Sequence, residues 1–277
     1  MHIPFVKAHG ARNDFLLTWA EDVRGLPPEM LSALAAAICD RHSGVGADGW
    51  ELVGRDDLSL RLFNPDGGEV EISGNGTRCA AALLVDAGLA SATVTIRTTA
   101  GPKVLQLKDR AGRRFVFEMD MGQPRVVETD AEMAGYPATI LDVGNPQCAL
   151  LVREIPPDWK AIGAELERHP RFPRRSNISF VRVLDPHTIE ARFFERGAGA
   201  TQSSGTGSTG AAVSAILRGL CQSPVTIRTE AGELHLRWEE SVYLTGPAEI
   251  IAAGSFFFPL PLLEAQRRAG SLQPMSK

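Results

Sequence analysis

The sequence predicts an α+β protein made of two homologous domains that arose by internal duplication and face each other across an active-site cleft. Three observations carry this reading. Strand-like runs outnumber helix-like ones along the 277 residues, landmarks in the two halves recur at one fixed offset, and that offset is far too long for a solenoid repeat. "TIRTTAG" from Thr95 returns as "TIRTEAG" from Thr226, Ser73 returns as Ser204, and Phe63 of "FNPDGGEVEI" returns as Phe194 of "FERGAGATQS", each displaced by 131 positions. Each half therefore reads strand, turn, serine, glycine-rich turn, helix, strand.

The elements follow in chain order. "PPEMLSALAAAICDRH" has the length and apolar spacing of a helix. "LSLRLFN" and "EVEIS" alternate like strands around the turn residues "PDGG", and the glycines of "GNG" open a helix over "TRCAAALLVDAG", with Gly88 as its C-cap. "TVTIRT", "KVLQLKD" and "RRFVFEMD" add strands before a candidate linker, "MGQPRV" (121–126), which divides an N-terminal domain (1–121) from a C-terminal one (122–277). Beyond it, "DVGNPQCALLV", "SNISFVRVL", "TIEARFF", "PVTIRT", "ELHLRW" and "SVYLTG" read as strands, and "DWKAIGAELERH" and "GSTGAAVSAILRG" as helices.

Composition narrows the partners. Hydrophobic residues make up 44% of the chain, enough for a sizeable core. A net charge of -4 gives no basic field for nucleic acid, and the longest basic cluster (Arg171, Arg174, Arg175) is interrupted by Phe172 and Pro173. The expected partner is a small molecule. "MHIPFVKAHG" lacks a signal pattern and no stretch reaches the roughly 18 apolar residues of a membrane span, so a cytoplasmic protein without membrane association is expected. Cys39, Cys79, Cys148 and Cys221 are scattered and read as buried free thiols. The six histidines show no ligand spacing, and no metal is expected.

Serine is among the preferred N-cap residues, so capping explains Ser73 or Ser204 taken singly. The duplication adds to this. The first turn of a helix presents unpaired N–H groups and partial positive charge. Two such turns on facing domains would aim two proton-handling side chains and two sets of donors into one cleft. That arrangement suits removing a proton from one face of a carbon and returning it on the other, and it suits plain binding of a carboxylate equally. Asn13, Asn64, Asn75, Asn145 and Asn177 lie in turn-like contexts and offer neutral donors and acceptors. Glu195 and Arg196, at the end of an apolar strand, read either as a surface ion pair or as groups that fix a substrate's ammonium and carboxylate.

These residues resemble the diaminopimelate epimerase family, the cofactor-independent amino-acid epimerases related to proline racemases. "KAHGARNDF" (7–15), "DRHSGVGADG" (40–49), "FNPDGGEVEISGNGTRC" (63–79), "GNPQC" (144–148), "RRSNISF" (174–180) and "ERGAGATQSSGTGS" (195–208) are similar to the family's motifs in order. The resemblance implies two domains, each a mixed or barrel-like β-sheet around a central helix. It also implies epimerisation of LL- to meso-diaminopimelate for lysine and peptidoglycan synthesis, no cofactor, and a homodimer. In the family one cysteine per domain precedes each glycine turn, and here Ser73 and Ser204 stand at those positions. By resemblance Asn13, Asn64, Asn145 and Asn177 hold the distal end of the substrate. Gly74, Asn75, Gly205 and Thr206 bind its α-carboxylate, and Glu195 and Arg196 complete the pocket. Gln147 replaces an expected histidine, Ala200 a glutamate, Gly49 a glutamine and Arg12 a glycine.

A thiol at a helix N-terminus supplies thiolate near neutral pH, whereas a serine needs an adjacent base, and the sequence attaches no histidine or aspartate to either serine motif. Three readings stay open at this level. The chain is an epimerase in which another base or a serine-linked water moves the proton, or an amino-acid-binding paralogue without turnover or with altered specificity. Alternatively, the serines were introduced to trap substrate, which leaves Gln147 and Ala200 to be explained separately.

Overall fold

The computed structural model describes residues 1–258. β1 (His2–Gly10) folds back on β2 (Asn13–Trp19) through Ala11 and Arg12, whose φ angles of 50° and 60° give the doubly left-handed turn that suits a two-residue hairpin. Neither residue is the glycine such a turn favours, so some backbone strain is held there. Helix α1 (Pro28–Cys39) starts on a proline and turns Leu31, Leu34, Ala35 and Ile38 onto the sheet. β3 (Gly49–Val53) lies parallel to β2, and β4 (Leu60–Phe63) and the short β5 (Glu69–Val70) follow antiparallel. Only two residues of the expected strand "EVEIS" pair; Glu71 and Ile72 instead lead the chain to Ser73.

Helix α2 (Gly74–Asp86) is followed by the antiparallel run β6 (Thr93–Thr98), β7 (Gly101–Ala111) and β8 (Arg114–Gly122). β9 (Arg125–Met133), β10 (Tyr136–Asp142) and β11 (Pro146–Leu151) open the second half, with helix α3 (Trp159–Glu167) outside them. β12 (Asn177–Asp185), β13 (Thr188–Glu195) and β14 (Gly199–Thr201) lead to helix α4 (Gly205–Leu217). β15 (Val225–Thr229), β16 (Gly232–Trp238) and β17 (Val242–Phe257) close the described chain.

The duplication is visible residue for residue in places. α2 and α4 begin and end 131 residues apart, and the parallel pairing of Ser59 with Arg97 recurs as Glu190 with Arg228 at that same displacement. β1, β2, β3, β4, β6, β7, β8 and β17 make a continuous ring around α2, closed between β4 and β6 by the single Ser59–Arg97 bridge. β10 to β13, β15, β16 and the start of β17 wrap α4 in the same way.

In "MGQPRV" β8 runs to Gly122 and β9 starts at Arg125, so the chain passes from one barrel to the other through Gln123 and Pro124 within one connected sheet. One sequence reading changes here. β17 was expected as a six-residue strand and instead runs for 16 residues, because after pairing with β16 it continues along β8 and β1 and closes the first barrel.

A helix fully enclosed by strands must be narrow, and any polar group on it must be paired inside. "GNGTRCAAALLVD" and "GTGSTGAAVSAIL" are narrow through glycine, alanine, serine and threonine, nearly every residue of both is buried, and the one buried cation, Arg78, donates to the Pro247 carbonyl at 3.2 Å and to Asn75 Oδ1. The helices meet end to end. A Cβ on Gly74 would stand 3.0 Å from the Gly205 Cα, and one on Gly205 would stand 2.8 Å from the Gly74 Cα. Backbone blocks backbone at that distance, with no flexible side chain to yield. Gly205→Ala is therefore expected to destabilise the fold by about 1–3 kcal/mol, the range for overpacking a closed interior. The check is a lowered urea midpoint at unchanged m-value.

Candidate active site

The site is built where the two helices touch. Ser73 and Ser204 adopt nearly the same extended backbone, at φ -122°, ψ 126° and φ -139°, ψ 126°. Each caps its helix: Ser73 Oγ accepts from the Gly76 N–H at 3.2 Å, and Ser204 Oγ accepts from the Gly207 N–H at 3.1 Å. Capping consumes one donor per helix. The N–H groups of Gly74, Asn75, Gly205 and Thr206 have no acceptor among the described residues. Two positive helix ends are thus apposed, an arrangement that calls for an anion between or beside them.

The two serines differ in what lies behind them. Ser204 is buried, and its hydroxyl donates to Glu195 Oε2 at 2.7 Å, while Thr201 donates to Glu195 Oε1 at 2.7 Å. Glu195 closes β13, nine residues before Ser204, and the strand hairpin with β14 returns the chain to place them together. Desolvation by the surrounding protein pushes the Glu195 carboxyl above the ordinary carboxylate range, against the opposing pull of the Ser204 and Thr201 hydroxyls. Ser73 lines the cleft and has no such carboxylate partner among the described residues. The sequence reading placed Glu195 in the pocket but, looking for histidine or aspartate beside the serines, did not pair it with Ser204. The signal was the short Glu195–Ser204 spacing across an "ERGAG" turn.

Glu195 and Arg196 are not an ion pair with each other. Arg196 Nη2 pairs with Glu71 Oε2 at 2.6 Å, joining the second half to the residue two before Ser73. The cleft is lined by Asn13, Asn64, Asn145, Asn177, Glu195 and Arg196 together with Ser73, Asp48 and Glu71. Four of the five asparagines have structural partners. Asn13 donates to Asp48 at 2.8 Å and accepts from Asn75 at 3.1 Å, Asn145 donates to the Thr206 hydroxyl at 3.3 Å, and Asn177 accepts from the Arg196 N–H at 3.0 Å. Asn64 Nδ2 sits against Gly197. Gln147, in the place of the expected histidine, is buried and donates to Asn145 Oδ1 at 2.6 Å. An amide cannot relay a proton as imidazole does, and here it orients Asn145.

None of the remaining cysteines substitutes for a thiolate. All four are free and buried; desolvation pushes the Cys39 and Cys148 thiols up to about 12 and raises Cys79 well above its ordinary value. No cluster of His, Cys, Asp and Glu able to hold a metal occurs among the described residues, and no helix there is long and apolar enough to cross a membrane.

Sequence reasoning also passed over Glu51. It sits in the fully buried strand β3, both carboxyl oxygens lack a hydrogen-bond partner, and Oε1 presses against Gly76 in the first turn of α2. Desolvation raises its carboxyl to about 8. The folded state thus keeps a proton that the unfolded state, at about 4.3, releases. Its contribution to stability is full below the unfolded value and falls by about 1.4 kcal/mol per pH unit as pH rises toward the folded one. The difference in unfolding free energy between Glu51→Gln and the parent protein should therefore grow in the variant's favour from pH 5 to pH 7. Urea titrations of both proteins across that range measure it, and a difference independent of pH would show an ionised Glu51.

The diaminopimelate epimerase family model matches residues 5–127 and 139–251. A diaminopimelate epimerase of Pelotomaculum thermopropionicum is 38% identical over 277 aligned positions, covering 91% of this chain and 98% of that protein. One from Aromatoleum aromaticum is 39% identical, covering 92% and 98%. Among solved structures, a hydroxyproline epimerase from Agrobacterium vitis superposes with a TM-score of 0.73 at 15% identity, covering 92% of this chain and 90% of that one. At that identity the likeness is one of fold.

Proposed function

The chain belongs to the diaminopimelate epimerase family, and on that premise we propose that it is a cofactor-independent epimerase interconverting LL- and meso-diaminopimelate. The observation that carries the reading is the 2.7 Å hydrogen bond from Ser204 to Glu195 at the meeting point of two helix N-termini. The free N–H groups of Gly74, Asn75, Gly205 and Thr206 bind the substrate's α-carboxylate and spread the charge that builds on it as the α-hydrogen leaves. Asn13, Asn64, Asn145 and Asn177, with Arg196, hold the distal end. The domains divide at 121/122 and contribute one serine each.

Proton transfer is unequal on the two faces. Ser204 Oγ takes the α-hydrogen while its own hydroxyl proton passes to Glu195 Oε2. A carboxylate shifted toward neutrality is well matched to that task. On the opposite face Ser73 delivers a proton, its own or that of a water it holds, and solvent reaching the cleft restores it. Without a thiol the Ser73 side is the slower one, since a hydroxyl gives up its proton less readily than a thiol does. A cytoplasmic homodimer is part of the same reading.

The test follows the α-proton of LL-diaminopimelate in deuterated water by NMR. Exchange and inversion support the epimerase, and binding without exchange supports a binding paralogue. Glu195→Gln should lower the exchange rate by roughly 10²–10⁴-fold, the usual contribution of a positioned acid–base group. Placing cysteine at both positions (S73C with S204C) should raise it by a similar order.

A further inference from the structure

Three carboxylic groups line the cleft and each is engaged: Asp48 pairs with Arg41 at 2.8 Å, Glu195 accepts from the Ser204 and Thr201 hydroxyls, and Glu71 pairs with Arg196. Among the described residues that line the cleft Arg196 is the one cation, its side chain is 18% exposed, and it is already engaged: Nη2 lies 2.6 Å from Glu71 Oε2 and Nη1 donates to the Arg174 carbonyl at 3.3 Å. Glu71 is the more open partner, at 42% side-chain exposure. Its place is set by the chain, since the Glu71 carbonyl accepts from the Thr99 hydroxyl at 2.8 Å and its residue lies two before Ser73. A protein carboxylate therefore occupies the guanidinium that the proposed function assigns to a ligand carboxylate.

Charge pairing decides which ligands can use this site. A ligand bringing only a carboxylate to Arg196 would leave Glu71 without a cation, since the described lining holds no other, and a ligand bringing only an ammonium would compete with Arg196 for Glu71. A ligand whose far end carries both groups exchanges one ion pair for two. We propose that Glu71 is a specificity-determining residue. The ligand's distal carboxylate displaces it on Arg196, and the freed Glu71 carboxylate binds the distal ammonium, so that the Glu71–Arg196 pair selects amino acids with a second zwitterionic centre. This inference rests on Arg196 being the distal carboxylate reader and adds the residue that reads the ammonium beside it.

Equilibrium binding tests it without requiring turnover. Dissociation constants of LL-diaminopimelate, L-2-aminopimelate (distal carboxylate alone) and L-lysine (distal ammonium alone) are measured by calorimetry for the full chain and for Glu71→Gln and Glu71→Asp. The parent protein should prefer diaminopimelate over aminopimelate by at least roughly tenfold, the weight of one charge-assisted contact. Glu71→Gln should compress that preference to within about threefold, weakening diaminopimelate and tightening aminopimelate, which then meets an unopposed Arg196. Glu71→Asp, which keeps the charge, should retain a preference for diaminopimelate. An unchanged preference in Glu71→Gln, or a parallel change for both ligands in the same direction, overturns the inference while leaving the epimerase reading intact. Failure of the parent protein to bind any of the three overturns both.

Discussion

The close approach of Gly74 and Gly205 is the constraint from which the site follows. Two helices enclosed in separate barrels are brought nose to nose, and only residues without a side chain permit backbone contact at that distance. The contact places two positive helix ends together at cost, because like partial charges are apposed and several N–H groups stay unpaired. An anionic ligand relieves both. The architecture is thus unfavourable to itself at one point and favourable to a carboxylate at the same point, the usual physical signature of a binding site.

Around that point the two halves have diverged in chemistry while keeping their geometry. Both serines cap their helices with matching backbone angles, yet Ser204 is buried against a glutamate and Ser73 opens to the cleft. Duplication gave a pair of equivalent positions, and the strand context made them unequal: β13 and β14 form a hairpin that returns Glu195 to Ser204, whereas the equivalent stretch before Ser73 carries Asn64 and a short β5. A reaction that takes a proton from one face and returns it on the other has use for such inequality, since one group starts as acceptor and the other as donor.

Charge in the cleft is similarly divided between halves. Glu71 from the first and Arg196 from the second meet across the boundary, and β17 crosses in the other direction to close the first barrel. The halves are therefore tied both by backbone pairing and by an ion pair that faces the ligand. Binding and the relation between the halves are coupled through Arg196, which Asn177 holds by its backbone N–H.

The sequence by itself determined the duplication and the two serine-capped helices, because a cap needs only its own turn and a 131-residue offset is read from letters alone. The helices α1 to α4 and most strands were legible for the same reason. Tertiary structure decided what local pattern cannot encode. β17 reads as one short alternating run, and only its long-range pairing with β8 and β1 reveals its length. Glu195 and Arg196 look like neighbours in an ion pair, but consecutive residues at a strand end point apart, so each found its partner elsewhere in the fold. Glu51 looks like one polar residue in a strand, and its isolation exists only because helices α2 and α1 pack against that barrel strand once the chain has folded. Pairing, burial and apposition depend on residues far apart in the chain, and the distances that set them arise only once it has closed.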